Sequence, residues 1–188
     1  MKTLLTTFSA LLALSASHMA TAADYTLDIK GAHAFINFKA SHLGYSWLTG
    51  RFNKFDGKFS YDGDNLSATK IEVNIDPASI DSNHAERDKH LRSDDFLDVK
   101  KFPKSKFVST KVTDKGNGKI EVTGDFTLHG VTNSIVIDAV KIGEGKDPWG
   151  GYRAGFSGTT TIDVADYGFK AAWAGKIQLE LLIEGIRQ

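Results

Sequence analysis

The sequence predicts an all-β domain, built as a sandwich or a barrel, and three observations support this. Short segments with the period-two pattern of strands follow one another along the chain. Turn sequences such as Asp62-Gly63 and Asn117-Gly118 separate them. The 188 residues suffice for one domain and include no cysteine, which excludes disulfide frameworks, zinc fingers and thiol catalysis.

Nine segments carry strand patterns. The clearest is Lys119–Leu128, in which even-numbered residues are apolar or glycine and odd-numbered residues are polar, as expected for a strand with one buried face. In Leu48–Tyr61 the apolar phase changes near Asn53-Lys54, where we predict a β-bulge that bends the strand. Residues 143–151 are rich in glycine and predict a long connection. The nine segments are Tyr25–Ile29, Ala32–Ala40, Leu48–Tyr61, Ala68–Ile75, Lys106–Thr113, Lys119–Leu128, Thr132–Ile142, Tyr152–Val164 and Lys176–Ile186.

The first 22 residues have the pattern of a secretory signal peptide. Lys2 precedes an apolar run at Leu4–Ala16, and Ala20-Thr21-Ala22 supplies the small residues of a cleavage site. The alternative, an N-terminal core helix, explains neither the lysine nor the cleavage site. We therefore expect cleavage after Ala22, a mature domain over residues 23–188, and export to the periplasm. The 23 basic and 23 acidic residues are balanced, which argues against a nucleic-acid binder.

One segment, Asp81–Ser93, lacks strand alternation. Asn83 and Glu86 have the spacing of a capping box, and Glu86 and His90 form an i, i+4 pair. The segment therefore predicts a short helix of two to three turns. In a barrel such a helix would lie across one end.

Three kinds of chemistry are conceivable for the polar cluster on this helix. A metal site is disfavoured because, at 100° per residue, His84 and Asp88 lie on the opposite face from Glu86 and His90. Catalysis is disfavoured because the chain has no nucleophile motif. Binding of a lipid's polar head group fits better, since arginines are suited to phosphate or carboxylate and the histidines add further donors. The cluster comprises His84, Glu86, Arg87, Asp88, His90, Arg92, Asp94 and Asp95.

The pattern alone leaves two interiors open: a packed core, or a cavity for one elongated ligand. One face of the last strand is wholly apolar, with Ile177, Leu179, Leu181 and Ile183. Small residues within strands would leave room for a guest, although glycines also serve barrel bends. These small residues are Ala34, Ala40, Gly57, Gly124, Ala154, Gly158 and Ala174.

Several motifs occur in a fixed order over the mature chain. They are His33-Ala34-x-Ile36-x-Phe38, His42-Leu43-Gly44, Gly50-Arg51-Phe52-x-x-Phe55-x-Gly57, the run from Asn83 to Ser93 with Asp95-Phe96, Phe102-Pro103, Phe107-x-Ser109-Thr110, and Gly124 to Thr132. Together they closely resemble the YceI family of exported, lipocalin-like proteins. The resemblance implies an extended antiparallel β-barrel of about eight strands with one short helix near its opening. It also implies a cavity for an isoprenoid lipid of the ubiquinone or polyprenyl phosphate type, no enzymatic activity and a link to stress responses.

We therefore predict an isoprenoid-binding protein without catalytic residues, bound metal or a required cofactor. The predicted tail-lining residues are Phe35, Phe38, Trp47, Phe52, Phe59, Phe107, Phe126 and Phe156. The predicted head-group residues are His84, Arg87, His90 and Arg92. Two alternatives are an enzyme acting on isoprenoid intermediates, with His84 or His90 as acid or base, and a stress or scaffold protein with a filled barrel. The lipid is the expected partner, and a homodimer is a further possibility.

Overall fold

The computed structural model describes residues 22–188, which form a closed eight-stranded antiparallel β-barrel with one α-helix. The predicted barrel is therefore confirmed. The predicted signal peptide, residues 1–22, lies outside the described residues except for Ala22. Among the helices of residues 22–188, none combines the length and apolarity that crossing a membrane requires.

Three of the eight barrel strands are interrupted, so the described residues contain eleven strand segments. Going round the barrel, the order is β1, β4, β5, β7, β8, β9, β10 and β11, and β11 closes on β1. Segment β2 continues the barrel strand of β1, β3 continues that of β4, and β6 continues that of β5. Segment β2 pairs with the N-terminal part of β11. The bounds are β1 Ala23–Leu27, β2 Phe35–His42, β3 Ser46–Phe52, β4 Phe55–Tyr61, β5 Lys70–Ile75, β6 Ile80–Asp81, β7 Ser105–Gly116, β8 Lys119–Leu128, β9 Val131–Lys146, β10 Tyr152–Asp163 and β11 Lys176–Arg187.

The bend predicted near Asn53-Lys54 is present, but as a two-residue interruption between β3 and β4 rather than a one-residue bulge. Phe52 pairs with Ile80 before the interruption, and Phe55 pairs with Ile75 after it. Ser79 bridges the gap: its carbonyl oxygen accepts the Asn53 N–H at 3.1 Å and its Oγ accepts the Lys54 N–H at 2.9 Å. The neighbouring barrel strand, made of β5 and β6, is also interrupted at this level. Both strands therefore bend at the same place in the barrel wall.

The glycine-rich stretch 143–151 is shorter as a connection than predicted. Strand β9 continues to Lys146, with Gly143 paired to Gly155 and Gly145 to Arg153, so residues 147–151 make the turn. The Asp147 carboxylate closes this turn, since its Oδ1 accepts the Gly151 N–H at 2.7 Å. The prediction failed because pairing with β10 overrides the weak strand propensity of glycine.

Helix α1 spans Ala85–Leu91, within the predicted segment. The predicted capping residue is wrong: the Nδ1 of His84 accepts the Arg87 N–H at 3.2 Å, while Asn83 adopts the left-handed conformation at φ 62°. The buried face of the helix is held by Asp88, whose Oδ1 accepts the Ser82 N–H at 2.8 Å. The predicted pairing of His90 with Glu86 is replaced by a contact with an acidic residue beyond the helix.

Aromatic rings cover glycines on neighbouring strands inside the barrel. A Cβ on Gly124 would overlap the ring of Phe107, and one on Gly50 would overlap the ring of Phe38. Gly124 therefore leaves room for a ring of the protein. The sequence alone allowed it to make room for a guest, and the structure does not support that interpretation at this position. Of the seven small residues considered, Ala40, Gly158 and Ala174 line the interior space.

Candidate functional site

An apolar cavity of about 780 Å³ runs along the barrel interior. In β11 it is lined by the four alternating residues Ile177, Leu179, Leu181 and Ile183. At the rise of a strand these six steps span about 20 Å. Of the two interiors that the sequence left open, the structure therefore has the elongated cavity.

Six of the eight predicted tail-lining residues line this cavity. The other two, Phe35 and Trp47, do not, although their chain neighbours Ile36 and Leu48 do. Successive side chains of a strand point to opposite faces, so Phe35 and Trp47 lie on the outer face. Whether the six contact a lipid remains a prediction. They are Phe38, Phe52, Phe59, Phe107, Phe126 and Phe156.

The mouth of the cavity lies between the β2–β3 hairpin, helix α1 and the 3₁₀ turn Ala172–Ala174. Leu43 at the hairpin and Trp173 in the turn line the cavity and are 73% and 77% exposed. Arg87 and His90 of the helix line the cavity as well. The helix is thus at the opening, as expected, and apolar side chains surround an entrance that faces solvent.

Two of the four predicted head-group residues reach the cavity. Arg87 lines it, and its Nε donates to Ser82 Oγ at 2.7 Å. His90 also lines it, with Nε2 3.1 Å from an Asp95 carboxylate oxygen. His84 and Arg92 are engaged elsewhere: His84 caps the helix, and an Arg92 Nη donates to a strand carbonyl at 3.3 Å.

Sequence reasoning missed three residues at the mouth: His42, Leu43 and Trp173. The signal for the first two was the His42-Leu43-Gly44 sequence, where Leu43 and Gly44 both take positive φ in the hairpin turn. Trp173 had no usable signal, because its position depends on how the connection after β10 folds over the barrel end.

The structure also contains a charged cluster that the sequence did not reveal. The buried Asp28 accepts hydrogen bonds from Arg153 Nη1 at 2.6 Å and from the Gly31 N–H at 2.8 Å, and it also contacts His33 Nδ1 at 2.8 Å. Arg153 also donates to Glu184 at 2.5 Å and, through Nε, to Asp147 at 2.8 Å. The hydrogen bonds from Arg153 and His33 lower the pKa of Asp28 from 3.8 to about 2, against the effect of burial.

This cluster is the place in residues 22–188 where three potential metal ligands converge, namely Asp28, His33 and Glu184. The Arg153 guanidinium already bonds to both carboxylates, and its positive charge opposes a cation there. The arrangement ties β1, β10, β11 and the 147–151 turn together.

A model of the YceI-like domain matches residues 25–184 of the chain. The UPF0312 protein of Shewanella denitrificans is 59% identical over 170 residues, which cover 89% of each chain. The chain belongs to the YceI family. The predicted resemblance is thereby confirmed.

Solved structures agree with this placement. The Campylobacter jejuni YCEI protein is 30% identical, with a TM-score of 0.72 over 79% of this chain and 90% of that one. A polyisoprenoid binding domain from Saccharophagus degradans, implicated in plant cell wall breakdown, has a TM-score of 0.64 over 87% and 98% of the two chains. At 17% identity the latter shows a shared fold alone. The YceI barrel is thus common to proteins with little sequence in common.

Proposed function

We propose that the protein binds an amphiphilic isoprenoid lipid, with the tail along the cavity and the head group at the mouth. The observation that carries the proposal is the long apolar cavity with a mouth that faces solvent. Binding would serve carriage, storage or stress protection in the periplasm, which the predicted signal peptide would reach. The name of the Saccharophagus degradans neighbour, a polyisoprenoid binding domain, supports the choice of ligand class.

The apolar wall supplies enough free energy for this role without any catalytic group. Burying one methylene group contributes about 0.8 kcal/mol, so ten such groups contribute about 8 kcal/mol. That sum corresponds to a dissociation constant of about 1 μM before the costs of immobilising the ligand. A tail of several isoprene units exceeds ten carbons, which leaves a surplus over those costs.

The charges at the mouth favour a neutral head group, such as a quinone, over a phosphate. Ser82 Oγ accepts from Arg87 and donates to the buried Asp88 at 2.5 Å, so a carboxylate compensates the arginine. His90 likewise faces Asp95. An anionic head group would meet these carboxylates, whereas a carbonyl or hydroxyl oxygen would accept the remaining Arg87 donors without repulsion.

The alternatives receive less support from the geometry. For an enzyme, His84 caps the helix instead of lining the cavity, and His90 is a half-exposed residue paired with Asp95. For a filled barrel, the cavity of about 780 Å³ is the contrary observation. We infer a binding protein rather than an enzyme.

The direct test is to purify the protein without delipidation, extract it with organic solvent and identify the extract by mass spectrometry. We expect an isoprenoid in near-equimolar amount, and a quinone in preference to a polyprenyl phosphate when both are offered. Ala139→Trp places a large ring in the cavity and should abolish recovery, whereas Val140→Trp, its outward-facing neighbour, should not. Recovery of no lipid from several hosts would contradict the proposal.

A further inference from the structure

Large apolar side chains are exposed around the mouth of the cavity. Three of the four exposed aromatic residues in residues 22–188 lie there: Tyr45 and Trp47 on the β2–β3 hairpin, and Trp173 in the 3₁₀ turn. Tyr45 is 88% exposed, and Leu43 lies at the tip of the same hairpin. Every residue from 41 to 47 is exposed, so this end of the hairpin projects from the barrel. Single exposed apolar residues are common on proteins, but a cluster of them indicates an interaction surface.

This exposed surface is continuous with the interior of the barrel. Leu43 and Trp173 line the cavity and are also largely exposed, so their side chains lie at the boundary between the cavity and the solvent. Tyr45 and Trp47 extend the apolar surface outward along the hairpin. A guest that leaves the cavity through the mouth therefore passes these side chains before it reaches water.

The two chain segments that carry these residues are basic. Residues 39–49 contain Lys39 and a histidine, residues 170–176 contain Lys170 and Lys176, and neither segment contains an acidic residue. The Lys39 ammonium group lies 4.2 Å from the centre of the Trp47 ring. Tryptophan and tyrosine side chains with neighbouring lysines are typical of protein surfaces that lie at the level of lipid headgroups.

The acidic side chains on the helix side of the mouth have basic partners within the protein. Each of three carboxylates on helix α1 and in the loop after it contacts a lysine or a histidine, which offsets its repulsion of an anionic surface. The pairs are Glu86 with Lys89, Asp94 with Lys170, and Asp95 with His90.

We propose that the mouth docks on the surface of a lipid bilayer that contains anionic phospholipids, and that the guest enters and leaves the cavity there. The docking is inferred from the exposed residues around the mouth, whereas the exchange of a guest rests on the proposed function. Tyr45, Trp47 and Trp173 lie in the headgroup region of the docked protein, and the lysines contact the lipid phosphates.

Direct contact with a bilayer removes an obstacle to exchange. Each methylene group of a tail that must cross water lowers the fraction of guest in transit about fourfold, so a long tail is released into water slowly. A mouth pressed against a bilayer lets the tail pass from one apolar medium to another. A second protein on the same surface would cover the mouth without supplying a guest.

The first test measures binding to large unilamellar vesicles of phosphatidylethanolamine and phosphatidylglycerol by flotation. The protein is purified after export and its N-terminus is checked by mass spectrometry, so that the apolar segment at residues 4–16 is absent. We expect Tyr45→Ser/Trp47→Ser to lower the partition coefficient at least about tenfold, because two aromatic rings no longer enter the headgroup region. Both side chains are exposed, so the fold is left intact.

Ile142→Ser/Trp149→Ser is the matched control. These two side chains are 69% and 77% exposed, but they lie at the other end of the barrel, since they precede β10 and Trp173 follows it. The control should keep the wild-type partition coefficient. An equal loss in both double variants would mean that any exposed apolar residue adheres to the vesicles, and it would overturn the proposal.

The basic residues are tested in the same way. Lys39→Gln/Lys176→Gln should weaken binding to these vesicles about fivefold for each lysine and leave binding to phosphatidylcholine vesicles unchanged. Lys119→Gln/Lys146→Gln removes the same charge at the other end of the barrel and should have little effect on either. Equal losses in the two double variants would show that net charge acts without a docked orientation, which contradicts the proposal.

The second test follows the transfer of ubiquinone-4 from the loaded protein to acceptor vesicles. Transfer by contact gives an initial rate proportional to the vesicle concentration, whereas release through water gives a rate that does not depend on it. We expect the first behaviour for the wild type. Tyr45→Ser/Trp47→Ser should transfer at least about tenfold more slowly, although organic solvent extracts equal amounts of quinone from both proteins before mixing. A wild-type rate independent of vesicle concentration overturns exchange at the bilayer.

This inference and the proposed function fail in different ways, because quinone-free protein can bind vesicles. A wild type that holds ubiquinone-4 but does not bind vesicles overturns the docking and leaves the proposed function standing. A wild type that binds vesicles but takes up no ubiquinone-4 contradicts the proposed function and leaves the docking standing. Sedimentation velocity without vesicles tests for a second copy: a dimer that Tyr45→Ser/Trp47→Ser dissociates would assign the surface to that copy and overturn the proposal.

Discussion

Replacing Asp28 with asparagine should remove a pH-dependent contribution to stability. The pKa of Asp28 is about 2 in the folded protein, against 3.8 for an unperturbed group, chiefly because Arg153 and His33 hydrogen-bond the carboxylate. A lowered pKa stabilises the folded state above the unfolded-state value, and the contribution is lost as the pH falls toward the folded-state value. The shift is worth about 2 kcal/mol.

The assay is urea unfolding of wild type and Asp28→Asn at pH values from 7 down to 2.5. We expect the wild type to be more stable by about 2 kcal/mol or more at pH 7 and 5, and this gap to narrow steadily below pH 4. Asp147 also has a lowered pKa, because of its hydrogen bond from Arg153. Since Asp28 bonds to the same guanidinium, the gap reports the coupled cluster and not Asp28 alone.

A control is available on the same strand. Asp24→Asn changes an exposed carboxylate of β1 and should alter the free energy of unfolding by less than about 0.5 kcal/mol. A gap between wild type and Asp28→Asn that stays constant from pH 7 to 2.5, or widens on acidification, would refute the reasoning. It would mean that the ion cluster does not hold Asp28 in its charged form.

Three further changes give sharp expectations. A Cβ on Gly124 would lie 2.6 Å from a backbone carbonyl oxygen, so Gly124→Ala should lose about 1–3 kcal/mol in urea unfolding, while Gly143→Ala, with open space at that position, should be close to neutral. Asp88→Ala leaves buried donors unpaired and should cost about 2–3 kcal/mol, whereas Glu86→Ala, exposed on the same helix, should cost little. In a variant that keeps Trp173 as its single tryptophan, ligand binding should shift the fluorescence emission to shorter wavelength, because this ring lines the mouth; unchanged emission on saturation would contradict the position assigned to the head group.

The strands were predictable because their signal is local. In β8 the alternation of side chains is complete, and the structure buries the even-numbered residues of Lys119–Leu128. The extension of β9 through Gly143 and Gly145 was not predictable in this way, since it depends on pairing with β10 and not on the residues themselves. The helix was found, but its capping residue was not, because histidine is not among the residues that commonly cap helices, and His84 nevertheless accepts the Arg87 N–H.

The lining of the cavity was predictable to the extent that the alternation of side chains along each strand determines it. Phe35 and Phe38 lie on opposite faces of the same strand, so a barrel can place only one of them in its cavity. The alternation of side chains would therefore have excluded Phe35 from the predicted lining. The pairing of Asp28 with Arg153 joins residues 125 positions apart. Such a contact exists only once the barrel has closed.

The apolar wall and the polar mouth of the cavity would have different tasks in binding. Burial of a tail contributes free energy in proportion to its area and sets no position along the barrel, so an apolar chain could slide without loss. Hydrogen bonds act at fixed points, here at Arg87 in the mouth. A guest whose head group accepts a hydrogen bond there has its tail held at one position along the barrel. The wall would therefore supply affinity, while the mouth would set the orientation of the guest.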